Sequence, residues 1–88
     1  MFFNARQDLA TKRIGGDLIL YDLNNKVLHV LNMTAAKVFH MCDGAHTPEE
    51  MAHELVESFD GIEPVQACED VKQTLDVLKA KKLVAQTD

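Results

Sequence analysis

The 88-residue sequence contains no tryptophan, and aromatic residues make up only 6% of it. Aliphatic side chains must therefore supply the core, which is small because a chain of this size buries only about 60% of the surface it exposes when unfolded. Long apolar runs are also absent, and none approaches the roughly 18 residues that span a bilayer. The N-terminus has no basic region followed by an apolar one, as a signal peptide would. We therefore expect a cytoplasmic protein that does not interact with a membrane.

Cysteine and positive charge are scarce as well. Neither Cys42 nor Cys68 belongs to a CxxC pair, so we interpret both as small buried apolar residues. The formal net charge is −5, whereas a protein that binds nucleic acid needs a basic surface to neutralise phosphates. The basic cluster Lys79, Lys81 and Lys82 ends a predicted helix, where positive charge stabilises the helix dipole. The charge therefore argues against nucleic acid as a partner.

Motifs for catalysis or metal binding are missing too. His40, Cys42 and His46 have a spacing that matches no zinc pattern, since structural zinc takes four ligands in paired short spacings. The pair Glu49-Glu50 lies in a predicted first helical turn, where negative charge is favourable without a catalytic role. An enzyme also needs a concave pocket of a few hundred Å³, which is hard to build in a chain this short. We therefore predict no catalytic residue, no metal site and no cofactor, and we expect the protein not to be an enzyme.

Two apolar stretches predict β-strands, Asp17–Asp22 and Lys26–Leu31. Leu23-Asn24-Asn25 lies between them, and asparagine tolerates the positive φ of tight turns, so the two strands should form an antiparallel hairpin. Gly15-Gly16 allows a bend from a shorter strand around residues 11–14. Both long strands are almost continuously apolar. One face of such a sheet therefore stays apolar after the other has packed on helices.

Three helices should follow, from Met33 to about Cys42, from Pro48 to Asp60-Gly61, and from Pro64 to about Lys81. Asn32 is a good N-cap for the first helix, which we expect to stop at Gly44. Thr47 and Glu50 form a capping box for the second. Helical spacing assigns the apolar face of the third to Val65, Cys68, Val71, Leu75 and Leu78. Strands followed by helices predict an α+β domain: a three-stranded antiparallel sheet with three helices on one side.

We assign residues 11–85 to a single domain and residues 1–10 to an N-terminal segment that is either docked or flexible. Phe2 and Phe3 are too apolar for a purely solvated tail. Near the other end, we expect Leu83 and Val84 to fold back onto the core and residues 86–88 to be loose.

The strand Lys26–Leu31 lies at the edge of the predicted sheet. Proteins usually protect such an edge with charge, proline or a covering element, yet no charged residue or proline occurs between Val27 and Leu31. The edge is therefore open to an added strand, the mode called β-augmentation. The alternative is that the third helix or the segment Phe2-Phe3 covers it.

Several motifs in order resemble the PqqD family, the pyrroloquinoline quinone (PQQ) biosynthesis protein D family, whose domain is also called the RiPP recognition element. The motifs are Leu31-Asn32-x-Thr34-Ala35-Ala36, Asp43-Gly44, Thr47-x-x-Glu50-x-Ala52-x-x-Leu55 and Asp70-Val71-x-x-x-Leu75-x-x-Leu78. The resemblance covers about residues 13–84. It implies a winged helix-turn-helix-like domain that serves as a non-catalytic peptide chaperone. Such domains bind the leader of a ribosomally made precursor peptide and deliver it to a modifying enzyme, often a radical S-adenosylmethionine (SAM) protein.

The resemblance also implies where the leader binds. It would add as a strand beside the third predicted strand, in a groove whose wall is the third helix. The implied peptide-binding residues are Lys26, Val27, Leu28, His29, Val30, Leu31, Asp70, Val71, Thr74, Leu75 and Leu78. Lys72 or Lys79 would steer acidic leader residues. Two alternatives stay open from the residues alone: a winged-helix DNA-binding regulator, and a module that forms a homodimer through the open edge.

Overall fold

The computed structural model describes residues 1–87. Its elements are β1 (Phe2–Ala5), β2 (Leu9–Ile14), β3 (Asp17–Asp22), β4 (Val27–Leu31), α1 (Met33–His40), α2 (Pro48–Ser58), α3 (Pro64–Ala80) and β5 (Val84–Thr87). The predicted α+β fold, a three-stranded antiparallel sheet followed by three helices, is confirmed. A second small sheet, made by β1 and β5, adds to it.

The main sheet has the strand order β2-β3-β4, and both pairs are antiparallel. β2 begins at Leu9, two residues before the predicted start. On the inner face, Leu18 and Leu20 of β3 and Leu31 of β4 are buried and belong to the core. Helix α1 packs against this face, so the end of β4 and the start of α1 are fixed together.

The turn between β3 and β4 depends on Asp22, a charged residue that is only 3% exposed. Its carboxylate accepts hydrogen bonds from the backbone N–H groups of Asn24 and Asn25. It also accepts one from the guanidinium of Arg6 at 2.7 Å. The hairpin is as predicted, but the positive φ, 56°, is at Lys26 and not at an asparagine. The Asp22 carboxylate therefore stabilises the turn by accepting hydrogen bonds from the turn's backbone N–H groups.

Helix α1 begins as predicted, because the Asn32 side chain accepts the backbone N–H of Ala35. It ends at His40, two residues before the expected end. The positive φ of 79° at Gly44 falls in the turn beyond the helix. A Cβ atom at Gly44 would lie 2.6 Å from the Asn4 side chain, so glycine here allows β1 to approach the turn.

The capping box of α2 is confirmed, with Thr47 and Glu50 bonded reciprocally. The prediction for α3 was wrong in part. Its buried residues are Ala67, Val71, Leu75 and Leu78, whereas Val65 is 76% exposed and Cys68 is exposed too. The buried stripe follows i, i+4, i+8, i+11 from Ala67, and Val65 and Cys68 lie beside it. Both cysteines were expected to be buried, which is confirmed for Cys42 and wrong for Cys68.

The pairing of the two chain ends is the part of the fold that the sequence did not predict. β1 pairs with β5, with Phe3 opposite Gln86, and Phe3 is buried. On its other side, β1 bonds to the turn after α1, since Ala5 N–H donates to the carbonyl of Cys42 at 2.7 Å. Leu83 and Val84 are buried as expected. Residues 86 and 87 were expected to be loose but belong to β5, and residue 88 lies outside the described residues.

Candidate functional site

The outer edge of β4 pairs with no other strand within residues 1–87. The Phe2-Phe3 segment does not cover it, because β1 pairs with β5 instead. Three apolar side chains of β4 are exposed, Val27 by 43%, Leu28 by 58% and Val30 by 57%. The strand therefore combines an open backbone edge with apolar side chains.

The exposed side chains of β4 continue onto the outer face of the sheet. Leu28 lies opposite Tyr21 and Val30 lies opposite Ile19, with Tyr21 and Ile19 both half-buried. Because side chains alternate along a strand, these four share one face, while His29 and Leu31 point to the other. A strand added beside β4 would extend this apolar face on one side and reach the helical layer on the other.

A cavity of about 290 Å³ lies between the end of β4 and α3. It is lined by Val30, Leu31, Asn32, Ala35, Gln73, Thr74, Val77, Leu78 and Lys81. The cavity includes residues of β4, of the start of α1 and of one side of α3. We call the open edge of β4 together with this cavity the β4–α3 groove.

One side of α3 forms the wall of the groove, and it contains Gln66, Asp70, Gln73, Thr74, Val77 and Lys81 by helical spacing. Asp70 and Thr74 are half-buried, and Val77 is 50% exposed. The sequence reasoning missed Gln73, Val77 and Lys81. Helical spacing could have identified them, since Gln73 lies three residues after Asp70, Val77 three residues after Thr74 and Lys81 seven residues after Thr74.

The other implied residues of α3 have different surroundings. Val71 and Leu75 are 1% and 4% exposed, so they hold α3 in place within the core. Leu78 is also buried but lines the cavity. Lys72 and Lys79 lie on the opposite side of the helix, where they line a second cavity of about 360 Å³ with Phe3. These two lysines are therefore far from the groove around the helix, and Lys81 is the lysine that lines it.

Two buried titratable groups outside the groove, Asp22 and Cys42, belong to the framework of the fold. The guanidinium of Arg6, together with Asn25, holds the pKa of Asp22 well below its usual range. Burial raises the pKa of the Cys42 thiol to about 12, and the nearby Asp43 carboxylate adds to this effect. Cys42 therefore stays a neutral core residue near pH 7. Within residues 1–87, no group of three or more His, Cys, Asp or Glu residues is placed to hold a metal ion.

None of the helices in the described part of the chain has the length and apolar character needed to cross a membrane.

Solved structures share this fold. One, of TbiB1 in complex with the TbiA(beta) leader peptide, has a TM-score of 0.80 at 14% identity, covering 97% of this chain and 98% of that chain. Another, of lasso peptide synthetase B1 complexed with the leader peptide, has a TM-score of 0.81 at 21% identity, covering 98% and 100%. The heterocyclase TruD matches with a TM-score of 0.65 at 14% identity, covering 98% of this chain but 11% of its own. At these identities the likeness shows a common fold.

Among curated proteins, none matches the sequence. A family model does match, over residues 17–84, and it describes coenzyme PQQ synthesis protein D. This stretch begins with β3 and ends with the first residue of β5, so it contains β4, α3 and the groove between them. Because the model covers more than half of the chain, the protein belongs to the PqqD family.

Proposed function

We propose that the protein is a non-catalytic adaptor that binds the leader segment of a ribosomally made precursor peptide by strand addition to β4. The observation that carries the proposal is the open, uncharged edge of β4 beside the cavity at α3. Two solved structures with this fold, TbiB1 and lasso peptide synthetase B1, are complexes with leader peptides. Membership of the PqqD family is consistent with the same role.

In the proposed mechanism, the leader takes an extended conformation and bonds to the free backbone N–H and C=O groups of β4. Backbone hydrogen bonds supply affinity that does not depend on sequence, and side-chain contacts supply register and selectivity. Alternate leader side chains enter the cavity against Thr74, Val77 and Leu78. The others lie on the outer face of the sheet beside Leu28 and Val30.

The width of the groove favours a single peptide over a second copy of the protein. Strands in a sheet lie about 4.8 Å apart, and α3 borders the cavity on its far side. A lone peptide strand brings only its own backbone into this space. A second protein would bring its β4 together with β3, so its β3 would come towards α3. We therefore prefer the peptide complex to a homodimer as the use of this edge.

Delivery to an enzyme is the second half of the proposal. The domain keeps the leader on one edge of a small sheet, which leaves the rest of the precursor free to enter the active site of a modifying enzyme. The family resemblance favours a radical SAM protein as that enzyme. The pathway is PQQ synthesis or the maturation of another ribosomally made peptide.

The proposal is tested in two steps. The first is purification of the protein from its native cell followed by mass spectrometry, which should recover a short peptide together with a large modifying enzyme. The second is titration of isotope-labelled protein with the N-terminal part of that peptide. The backbone amide signals of residues 27–31 and 66–81 should shift, and those of β1 and β5 should not. If the signals of β4 stay unmoved while the peptide binds, strand addition at this edge is wrong.

A further inference from the structure

The wall of the groove has a negative charge near one end and a positive charge near the other. Asp70 lies in the first half of α3, and Lys81 lies directly after its last residue. Between them, on the same side of the helix, Gln73, Thr74 and Val77 are uncharged. Neither Asp70 nor Lys81 forms an ion pair within residues 1–87. Both charges are therefore available to a bound partner.

Asp70 and Lys81 differ in hydrogen bonding and in exposure. Gln66 donates a hydrogen bond from its side-chain amide to one carboxylate oxygen of Asp70 at 2.8 Å. This bond orients the carboxylate, which is half-buried. Lys81 is exposed and lines the cavity together with Val30 and Leu31 of β4. Asp70 is thus held by a hydrogen bond, whereas Lys81 is exposed and lines the cavity.

The two charges are far enough apart to face different residues of one peptide. Asp70 and Lys81 are separated by eleven helical steps, which at 1.5 Å each amount to about 16 Å along the axis of α3. An extended strand advances roughly 3.3 Å per residue. A peptide strand that runs along the groove wall therefore covers this distance in about five residue steps, with about four residues between the positions that face the two charges.

From this geometry we infer that the bound peptide has a defined charge order. It carries an acidic residue at the Lys81 end and a basic residue at the Asp70 end, about five positions apart, with uncharged residues between them. Because strand addition alone allows a peptide to run in either direction, this charge pair selects one direction. The inference deepens the proposed function and rests on it.

The chain contains matched controls for both charges. Lys79 and Asp76 have the same charges and lie on the same helix, but on the opposite side, where they line the second cavity. Lys79 is also near the C-terminal end of α3, so Lys79→Glu and Lys81→Glu perturb the helix dipole alike. Lys79 Nζ donates a hydrogen bond to Gln86 Oε1 at 3.0 Å, so both variants are first compared by thermal unfolding. Asp76→Lys is the corresponding control for Asp70→Lys. A difference within each pair reports the groove and not the net charge or the stability of the helix.

The experiment uses a randomised peptide library displayed on phage, so it does not require the native leader. The library is selected separately against the wild-type protein, Lys81→Glu and Lys79→Glu. Wild type and Lys79→Glu should enrich the same charge order. Lys81→Glu should weaken binding of the wild-type peptides about tenfold, and changing their acidic residue to lysine should restore it. Asp70→Lys should likewise weaken binding of the wild-type peptides, and changing their basic residue to glutamate should restore it.

Two results would overturn the inference, and they have different meanings. If wild type and Lys81→Glu select one consensus, and its peptides shift the amide signals of residues 27–31, strand addition holds but the charge rule fails. If the selected peptides leave those amide signals unmoved, or if nothing is enriched, the proposed function fails and the charge rule with it.

Discussion

The β2–β4 sheet has two outer edges, and they are built in opposite ways. The edge at β2 contains Lys12 and Arg13, and five of the six residues of this strand are exposed. The edge at β4 contains no formal charge and exposes Val27, Leu28 and Val30. Both strands pair only with β3 within the described residues. Charged residues on an edge prevent other strands from pairing with it, so the sheet is protected on one side and receptive on the other.

Side-chain hydrogen bonds fix the chain at both ends of the receptive edge. At its start, the Asp22 carboxylate fixes the β3–β4 turn. At its end, Asn32 caps α1 directly after Leu31. These contacts fix β4 relative to β3 and α1, and α1 in turn packs against α3. The β4 edge therefore differs from the β2 edge in a second respect, since α3 lies beside it across the cavity.

Proline substitutions in the two edge strands, β4 and β2, should give the largest difference in peptide affinity. Neighbouring backbone N–H groups in a strand point in opposite directions. Of the two variants His29→Pro and Val30→Pro, one therefore removes a hydrogen bond to β3, and the other removes an N–H donor at the open edge. The variant that keeps its melting temperature should lose about 1–3 kcal/mol of peptide binding, because the peptide carbonyl that it faces is left without a donor; this is roughly a tenfold to hundredfold loss of affinity. Peptide titration and thermal unfolding together identify it.

The control for this prediction is the same pair on β2. Of Thr11→Pro and Lys12→Pro, the variant that remains folded should bind peptide with unchanged affinity. If outward prolines on both edges weaken binding equally, β4 is not the binding edge.

Removal of the charges from β2 should convert the protected edge into a receptive one. We expect Lys12→Val combined with Arg13→Thr to self-associate with rising protein concentration, because the β2 edge would then have neither charge to prevent pairing nor a helix beside it, whereas α3 limits the approach of a second copy to β4. Sedimentation velocity should show monomers for the wild type and larger species for the double variant. The exposed Val65, which lies outside the sheet, gives the comparison: Val65→Lys should leave the sedimentation coefficient unchanged. Monomeric double variants at every concentration would show that charge does not protect this edge.

Acid should weaken the turn that fixes the receptive edge. The pKa of Asp22 is lowered in the folded protein by hydrogen bonds from Arg6 and Asn25. Its contribution to stability is therefore complete above the unfolded pKa of about 3.9 and is lost as the pH falls towards the folded pKa. Thermal unfolding of the wild type and Asp22→Asn should differ at pH 7, with the variant less stable. The difference should shrink below about pH 4, and a difference that is independent of pH would contradict the ionic role.

The parts of the fold that the sequence predicted are those determined by neighbouring residues. The caps at Asn32 and Thr47 and the β3–β4 hairpin depend on short-range chemistry, and all three are present. The β1–β5 pair depends on contacts between the two chain ends, and strands of four residues leave little pattern to read. Prediction of the residues in the groove wall requires the rotation of α3 about its own axis. That orientation follows from which stripe of the helix packs, and the predicted stripe wrongly included Val65 and Cys68.

The smallest expected signal is for binding of the protein to duplex DNA. We predict no binding even at low salt. In a helix-turn-helix protein, the second helix of the motif enters the major groove. Here the chain from Pro48 to Asp70, which includes α2 and the first turns of α3, has eight acidic residues and no lysine or arginine. The basic pair on the protected edge, Lys12 and Arg13, is isolated from those helices in sequence. Fluorescence anisotropy with a labelled duplex should show no change. Binding that falls steeply with added salt and disappears in Lys12→Ala combined with Arg13→Ala would instead assign the β2 edge to phosphate contacts.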